Sequence, residues 1–281
     1  MKIRNPAHAG TFYPATREEL VKSIESSFTH PLGPGRLPQR GGGSGEQAIA
    51  YIPPHAGYMY SGPIAAHVYY DMSLGRKPDV VVLLGPNHTG LGLAASLWDE
   101  GVWRTPLGEV EVDSEAGRLV VEYSGIVAPD DEGHIYEHSL EVQLPFLQYL
   151  YGGDFRIVPI VVLHQTLDIS IRIARAYHRL REENGVNAVL VATSDLNHYE
   201  PYEENKRKDL LLLKAIEEGD PEAVFKTIEA HAISACGPSP IAAAVEAGRL
   251  AGVKPRVLAY ANSGDVTGEK AWVVGYPAVR V

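Results

Sequence analysis

One cysteine in 281 residues, Cys236, excludes an internal disulfide. Basic side chains are in the minority, 25 against 35 acidic ones, for a formal net charge of -10. No basic stripe runs along any segment, so the surface offers a nucleic-acid backbone nothing to grip. Cationic or neutral partners fit an acidic protein better. No apolar run approaches the ~20 residues that a membrane-spanning helix needs. The opening stretch MKIRNPAHAGTFYP lacks the apolar core of a signal peptide, which makes the cytoplasm the expected location. Also missing are an HExxH zinc motif, a nucleophile elbow and a dinucleotide-binding glycine fingerprint after the first strand. The Gly- and Pro-rich stretch 31–47 has neither the Lys-Ser/Thr pair nor the following helix of a phosphate loop, and reads as a mobile surface loop.

What remains is a chain 45% apolar, with no break in composition, which reads as one large domain. Short apolar runs rich in β-branched residues, without strict alternation, are expected to be strands buried on both faces: 48–52, 79–84, 156–162, 188–192 and 256–261. Helical patterns lie between them. Thr16 and Glu19 form a capping box that opens a helix to about Phe28. Others are expected over 61–72, 138–150, 167–184 and 238–252. Strands alternating with helices imply an α/β domain with a central, mostly parallel sheet flanked by helices. The stretch 93–112 reads as short strands and turns, an antiparallel addition to that sheet.

Three of the strands run directly into polar clusters: Pro53-Pro54-His55-Ala56-Gly57-Tyr58, Gly85-Pro86-Asn87-His88, and Thr193-Ser194-Asp195-Leu196-Asn197-His198. Ligands of open α/β sheets bind outside the carboxyl ends of strands, so three histidines delivered to that edge are expected to converge. Imidazole is the commonest metal ligand and the usual proton shuttle near neutral pH. His55 and His88, from equivalent strand ends, are therefore candidate ligands. Asp195 and His198 are three residues apart. A helical turn there would let the carboxylate fix the histidine tautomer; the competing assignment is an Asp cap beside a surface histidine. Cys236 precedes an apparent helix, whose N-terminus is expected to ease ionisation of the thiol. Spacing alone leaves it as a ligand, a nucleophile or a small buried hydrophobe. Glu137-His138-Ser139-Leu140-Glu141 is expected to open a helix, with His138 and Glu141 on one face as groups backing the site; the competing assignment is that Glu137 and Glu141 simply favour the helix N-terminus.

The same motifs carry a family resemblance. Pro6-Ala7-His8-Ala9-Gly10-Thr11-Phe12-Tyr13-Pro14, Pro54-His55-Ala56-Gly57-Tyr58, Leu84-Gly85-Pro86-Asn87-His88, Arg104-Thr105-Pro106-Leu107-Gly108, Glu137-His138-Ser139-Leu140-Glu141, Ser194-Asp195-Leu196-Asn197-His198 and Cys236-Gly237 occur in the order of the Memo family, which the chain resembles from end to end. That resemblance implies a fold like that of class III extradiol dioxygenases, which hold ferrous iron with two histidines and a glutamate. His55 and His88 match the two histidine ligands, and His198, beside Asp195, matches the acid–base histidine. Cysteine stands at the glutamate position, so the resemblance makes Cys236 the third ligand. A thiolate is softer than a carboxylate and shifts preference toward copper, zinc or a differently tuned iron. It is also exposed to oxidation during oxygen chemistry. The expected functions are a metal-dependent redox enzyme on a small substrate, a non-catalytic module that binds a peptide or protein in the same cleft, and a metal-assisted hydrolase with His198 as base. In prokaryotes the resemblance further implies association with an AMMECR-type protein and a radical SAM protein.

Overall fold

Five strands supply the middle of one mixed sheet in the computed structural model, which describes residues 2–281. In chain order the strands are β1 (Ile3–Arg4), β2 (Ala50–Ile52), β3 (Val80–Pro86), β4 (Ala95–Leu97), β5 (Val102–Thr105), β6 (Gly108–Val112), β7 (Ala128–Pro129), β8 (Arg156–Val162), β9 (Ala188–Ala192), β10 (His198–Glu200), β11 (Arg256–Asn262) and β12 (Val273–Arg280). Their spatial order is β1-β5-β6-β8-β3-β9-β2-β12-β10, with β11 on β12 and β4 on β8. The central strands β6, β8, β3, β9 and β2 are mutually parallel. The antiparallel pairs lie toward the edges: β5 with β6, β4 with β8, and β12 with β2, β10 and β11.

The run of small and branched apolar residues in β3 explains the two-layered core. Val81 and Leu83 point into one cluster, shared with α1 (Arg17–Thr29), α2 (Tyr58–Leu74) and α5 (Leu144–Tyr151). Val80, Val82 and Leu84 point into the other. There they meet α3 (Ser114–Ser124), α6 (Leu167–Glu182), α7 (Tyr202–Glu218), α8 (Pro221–His231) and α9 (Pro238–Ala251). Period-2 geometry sends alternate side chains to opposite faces. Both faces are covered, so every position of β3 can be apolar. Each fully buried Val or Leu contributes about 1.5–3 kcal/mol by leaving water.

Several expectations were displaced. The strand at 48–52 shortens to β2, because the Ile49 and Ala50 N–H groups go to the carbonyl of Val281. β11 sits at an edge with its first residues partly exposed, paired only with β12. β12 itself was not legible, because Gly275 and Pro277 interrupt its apolar pattern. The helix expected from 138 starts later. A short α4 (Glu132–Ile135) precedes a turn at 136–140, a 3₁₀ segment covers Glu141–Gln143, and α5 follows. The turn persists because the Glu137 carboxylate takes the Ser139 N–H at 2.8 Å and also binds His88. Apart from these corrections, the 31–47 segment is irregular along its length. Gly41, Gly43 and Gly45 donate to the carbonyls of Leu150, Gly75 and Leu74, and Arg40 covers the Tyr149 ring.

Gly275 lies at a close approach between β12 and α7. A Cβ there would collide with the Asp209 carboxylate. That carboxylate is fixed by the Asn197 N–H at 2.8 Å and the Tyr260 hydroxyl at 2.7 Å. Gly275→Ala is expected to cost about 1–3 kcal/mol of unfolding free energy, as overpacking does, read as a lower denaturant midpoint. An unchanged midpoint would mean that Asp209 moves aside freely.

Candidate metal centre

β3, β9 and β2 are adjacent parallel neighbours, so their carboxyl ends share one edge. The chain leaving β2 carries His55, the chain leaving β3 carries His88, and the chain leaving β9 carries Asp195. Crossing hydrogen bonds lock these exits together: Thr193 N–H to the Leu84 carbonyl at 2.8 Å, and Ser194 N–H to the Pro53 carbonyl at 3.1 Å. Cys236, just before α9, reaches the same point from far along the chain, with Gly237 packed closely against Ser194.

The His55 and His88 imidazoles and the Cys236 sulfur meet. One ligand atom from each lies within 4.8 Å of the others. The His55 and His88 rings stand 5.2 Å apart, nearly edge to face. Cys236 Sγ is 3.0 Å from His55 Nε2. Hydrogen-bond counting fixes which nitrogens face the cleft. The Thr193 hydroxyl donates its one proton to the Pro53 carbonyl and accepts from the Gln143 amide, so at 2.9 Å it can only accept from His55 Nδ1. His55 Nε2 therefore presents a lone pair. His88 Nδ1 faces the Glu137 carboxylate at 2.9 Å, and His198 Nδ1 faces the Ser234 carbonyl at 2.8 Å. Both acceptors call for a proton on Nδ1, which leaves each Nε2 as the free nitrogen. This is the arrangement metal-binding histidines need.

Charge follows burial. His55 is almost wholly buried, and that burial, aided by the neighbouring imidazoles, lowers its pKa well below the ordinary value. Burial pushes the Cys236 thiol well up, with the Asp195 carboxylate adding to it. The helix start was expected to ease ionisation, whereas burial and the Asp195 carboxylate act in the opposite direction. Burial also opposes the charge on Glu137, but the bond from His88 and the charges of His88 and His138 prevail and hold it down at about 2. Burial lowers His138 to about 4. Its ring stacks on His88 at 4.6 Å and on Phe12 at 4.4 Å.

Two expected roles change. Asp195 does not clasp His198, because the turn after β9 is not helical and His198 sits on β10. Asp195 Oδ1 instead accepts the His55 N–H at 2.8 Å, and its own N–H donates to Cys236 Sγ at 3.2 Å. It organises two candidate ligands rather than the acid–base histidine. Glu141 faces away from the centre and binds Arg4, the N–H groups of Ala7 and His8, and the Tyr13 hydroxyl. The missed partner is Glu137, adjacent to His138 in sequence but assigned there to a helix terminus. His8 packs 5.6 Å from His138.

The cleft above these groups encloses about 550 Å³. Among the described residues its lining has no Lys or Arg, and Asp195 is its one carboxylate. Tyr60, Tyr199 and Trp272 are exposed and line it. Tyr199 adopts φ 57°, left-handed backbone that a tyrosine rarely takes, where β10 and β12 lose register. Strain of this kind is kept where surroundings over-determine it.

Fold and cleft together define an α/β protein with a two-histidine, one-cysteine centre at the carboxyl edge of its sheet. The family profile described as Memo-like protein matches residues 4–280. Proteins called MEMO1 family protein from Desulfurococcus amylolyticus and Sulfolobus acidocaldarius are each 47% identical to it over 280 residues, covering 99–100% of this chain and 99% of their own. One from Ignicoccus hospitalis is 46% identical over 281 residues, covering 100% and 99%. The chain belongs to the Memo family. The solved structure of the uncharacterized protein JW3007 from Escherichia coli K12 superposes with a TM-score of 0.57 at 15% identity, covering 84% of this chain and 100% of that one. That likeness concerns the fold alone.

Glu137 offers a test that needs no metal. Its folded value of about 2 lies below the ordinary 4.5. The ionised group therefore adds stability above about pH 4.5, and that contribution is lost as pH falls through 4.5 toward 2. Glu137→Gln is expected to flatten this acid limb in denaturant unfolding measured from pH 7 to 3. A variant limb as steep as the parent's would assign the acid sensitivity elsewhere.

Proposed function

We propose that this Memo-family protein is a metalloprotein that holds one transition-metal ion through His55 Nε2, His88 Nε2 and Cys236 Sγ and acts on a small, uncharged, planar ligand. Iron or copper fits a redox role, and zinc is the redox-silent alternative. The supporting observation is the meeting of two imidazoles and one sulfur whose remaining polar contacts already orient them. Two nitrogens and a thiolate suit these metals better than the hard cations magnesium and calcium.

When bound, the metal supplies Lewis acidity and, for iron or copper, an electron. The protein's own groups do the rest. Asp195 and Thr193 hold His55 from opposite sides, through its backbone N–H and its ring Nδ1. Glu137 holds His88 in the same way, through backbone and ring together. His198, with Nδ1 tied to Ser234, lines the cleft and accepts or donates a proton at Nε2. Tyr60, Tyr199 and Trp272 offer flat faces to a planar ligand and keep water from it. A second reading, a peptide-binding module without turnover, is favoured by the same exposed rings, which suit an apolar side chain equally well.

Metal uptake must displace the proton between Cys236 and His55. Zinc affinity is therefore expected to rise about tenfold per pH unit across pH 6–8, with one ion per chain. Isothermal titration of the parent, His55→Ala and Cys236→Ser checks this. Equal uptake by parent and His55→Ala would remove the site, and a pH-independent affinity would remove the thiolate. His198→Gln is expected to take up zinc as the parent does. Peptide binding that persists after chelation would favour the second reading.

A further inference from the structure

Arg4 carries no role in the sequence reading, yet its side chain is 2% exposed. Each of its guanidinium nitrogens has a partner. Nε donates to the His134 carbonyl at 2.9 Å, Nη2 to the Glu137 carbonyl at 2.7 Å, and Nη1 to Glu141 Oε2 at 2.7 Å. The Trp103 ring covers the guanidinium, its centroid 4.1 Å away. Pairing of β1 with β5 sets the backbone from which this side chain projects. A planar fork of donors suits three such acceptors; a lysine's single ammonium does not.

Two of those acceptors are backbone carbonyls, His134 in α4 and Glu137 in the turn that follows it and carries His138. The third, Glu141, gathers the opposite wall. Its oxygens take the N–H groups of Ala7 and His8 at 3.0 and 2.9 Å and the Tyr13 hydroxyl at 2.7 Å. That draws in segment 7–13, which lays Phe12 on the His138 ring. Replacing a buried ion pair with apolar groups is often neutral for stability, so the pair's clearest consequence here is geometric. The line of contact runs from Arg4 to the Glu137 backbone, from the Glu137 carboxylate to His88 Nδ1, and so to the orientation of His88 Nε2.

We propose that Arg4, paired with Glu141, is a positioning residue for the metal centre: it fixes the turn from which Glu137 aims His88 at His55 and Cys236. The inference rests on the metal-centre reading above and deepens it. It also makes that centre asymmetric. His55 and Cys236 are held by Asp195, Thr193 and Gln143, none of which touches Arg4. Losing the fork therefore loosens one ligand and leaves two.

Cobalt(II) titration of the full chain tests this, followed by the thiolate-to-cobalt absorption and the ligand-field bands. Arg4→Lys keeps the charge beside Glu141 and removes the fork. It is expected to weaken cobalt binding about tenfold or more, as loss of groups backing a ligand does. The ligand-field bands are expected to change and the thiolate band to persist. In a His88→Ala background the same Arg4→Lys change is expected to add nothing. Should Arg4→Lys fail to fold by circular dichroism, Glu141→Gln carries the same expectations. Parent-like affinity and bands in the folded variant would overturn the proposal. So would an equal loss in the His88→Ala background, which would mark a general structural effect. A parent that takes up no cobalt would overturn the metal centre, and this inference with it.

Discussion

The parallel pairing of β3, β9 and β2 is the constraint on which the centre depends. Parallel neighbours point their carboxyl ends the same way, so residues that follow them in sequence by different distances arrive at one edge. Thr193 and Ser194 bond to the carbonyls of Leu84 and Pro53, which turns three independent chain exits into one platform. A register shift of one residue would rotate His55 or His88 to the opposite face. The two dense cores on either side of the sheet therefore underwrite the site as well as the fold. Cys236 joins from outside this platform, anchored through the Asp195 backbone and carried to its position by the start of α9.

The polar groups beneath the ligands act by satisfaction rather than by charge. Thr193 has one proton and two lone pairs, and its three neighbours use all of them. Gln143 reaches the Pro54 and Ser139 carbonyls as well as Thr193, and its oxygen accepts from Tyr69. This network leaves the His55 imidazole one orientation and one free nitrogen. The Cys236 sulfur lies 3.0 Å from that free nitrogen of His55, within hydrogen-bond reach. Glu137 supplies a strongly held negative charge behind His88.

Much of this was legible in the sequence, and its failures have physical causes. The β-branched runs marked β3, β8 and β9 because strands covered on both faces need no polar alternation. The polar clusters after β2, β3 and β9 marked the edge, and the family motifs added Cys236. The errors cluster where side chains override local propensity. The turn at 136–140 has the composition of a helix start, yet Glu137 spends its carboxylate on Ser139 and His88. Asp195 and His198 have helical spacing, yet β10 pairs with β12 and carries His198 to Ser234. Arg4 and Glu141 are far apart in the chain, and no local pattern signals that they meet. β12 was hidden by Gly275 and Pro277, and the close approach of Asp209 explains the first of these.

The sharpest test is the identity of the atoms around a bound ion. X-ray absorption spectroscopy on protein loaded with one equivalent of zinc is expected to show one sulfur at about 2.3 Å and imidazole nitrogens at about 2.0 Å. Loss of the sulfur scatterer is expected in Cys236→Ser, with the nitrogen shell retained. A shell of oxygen and nitrogen alone in the parent would mean that Cys236 does not bind the ion, and the centre described here would be wrong.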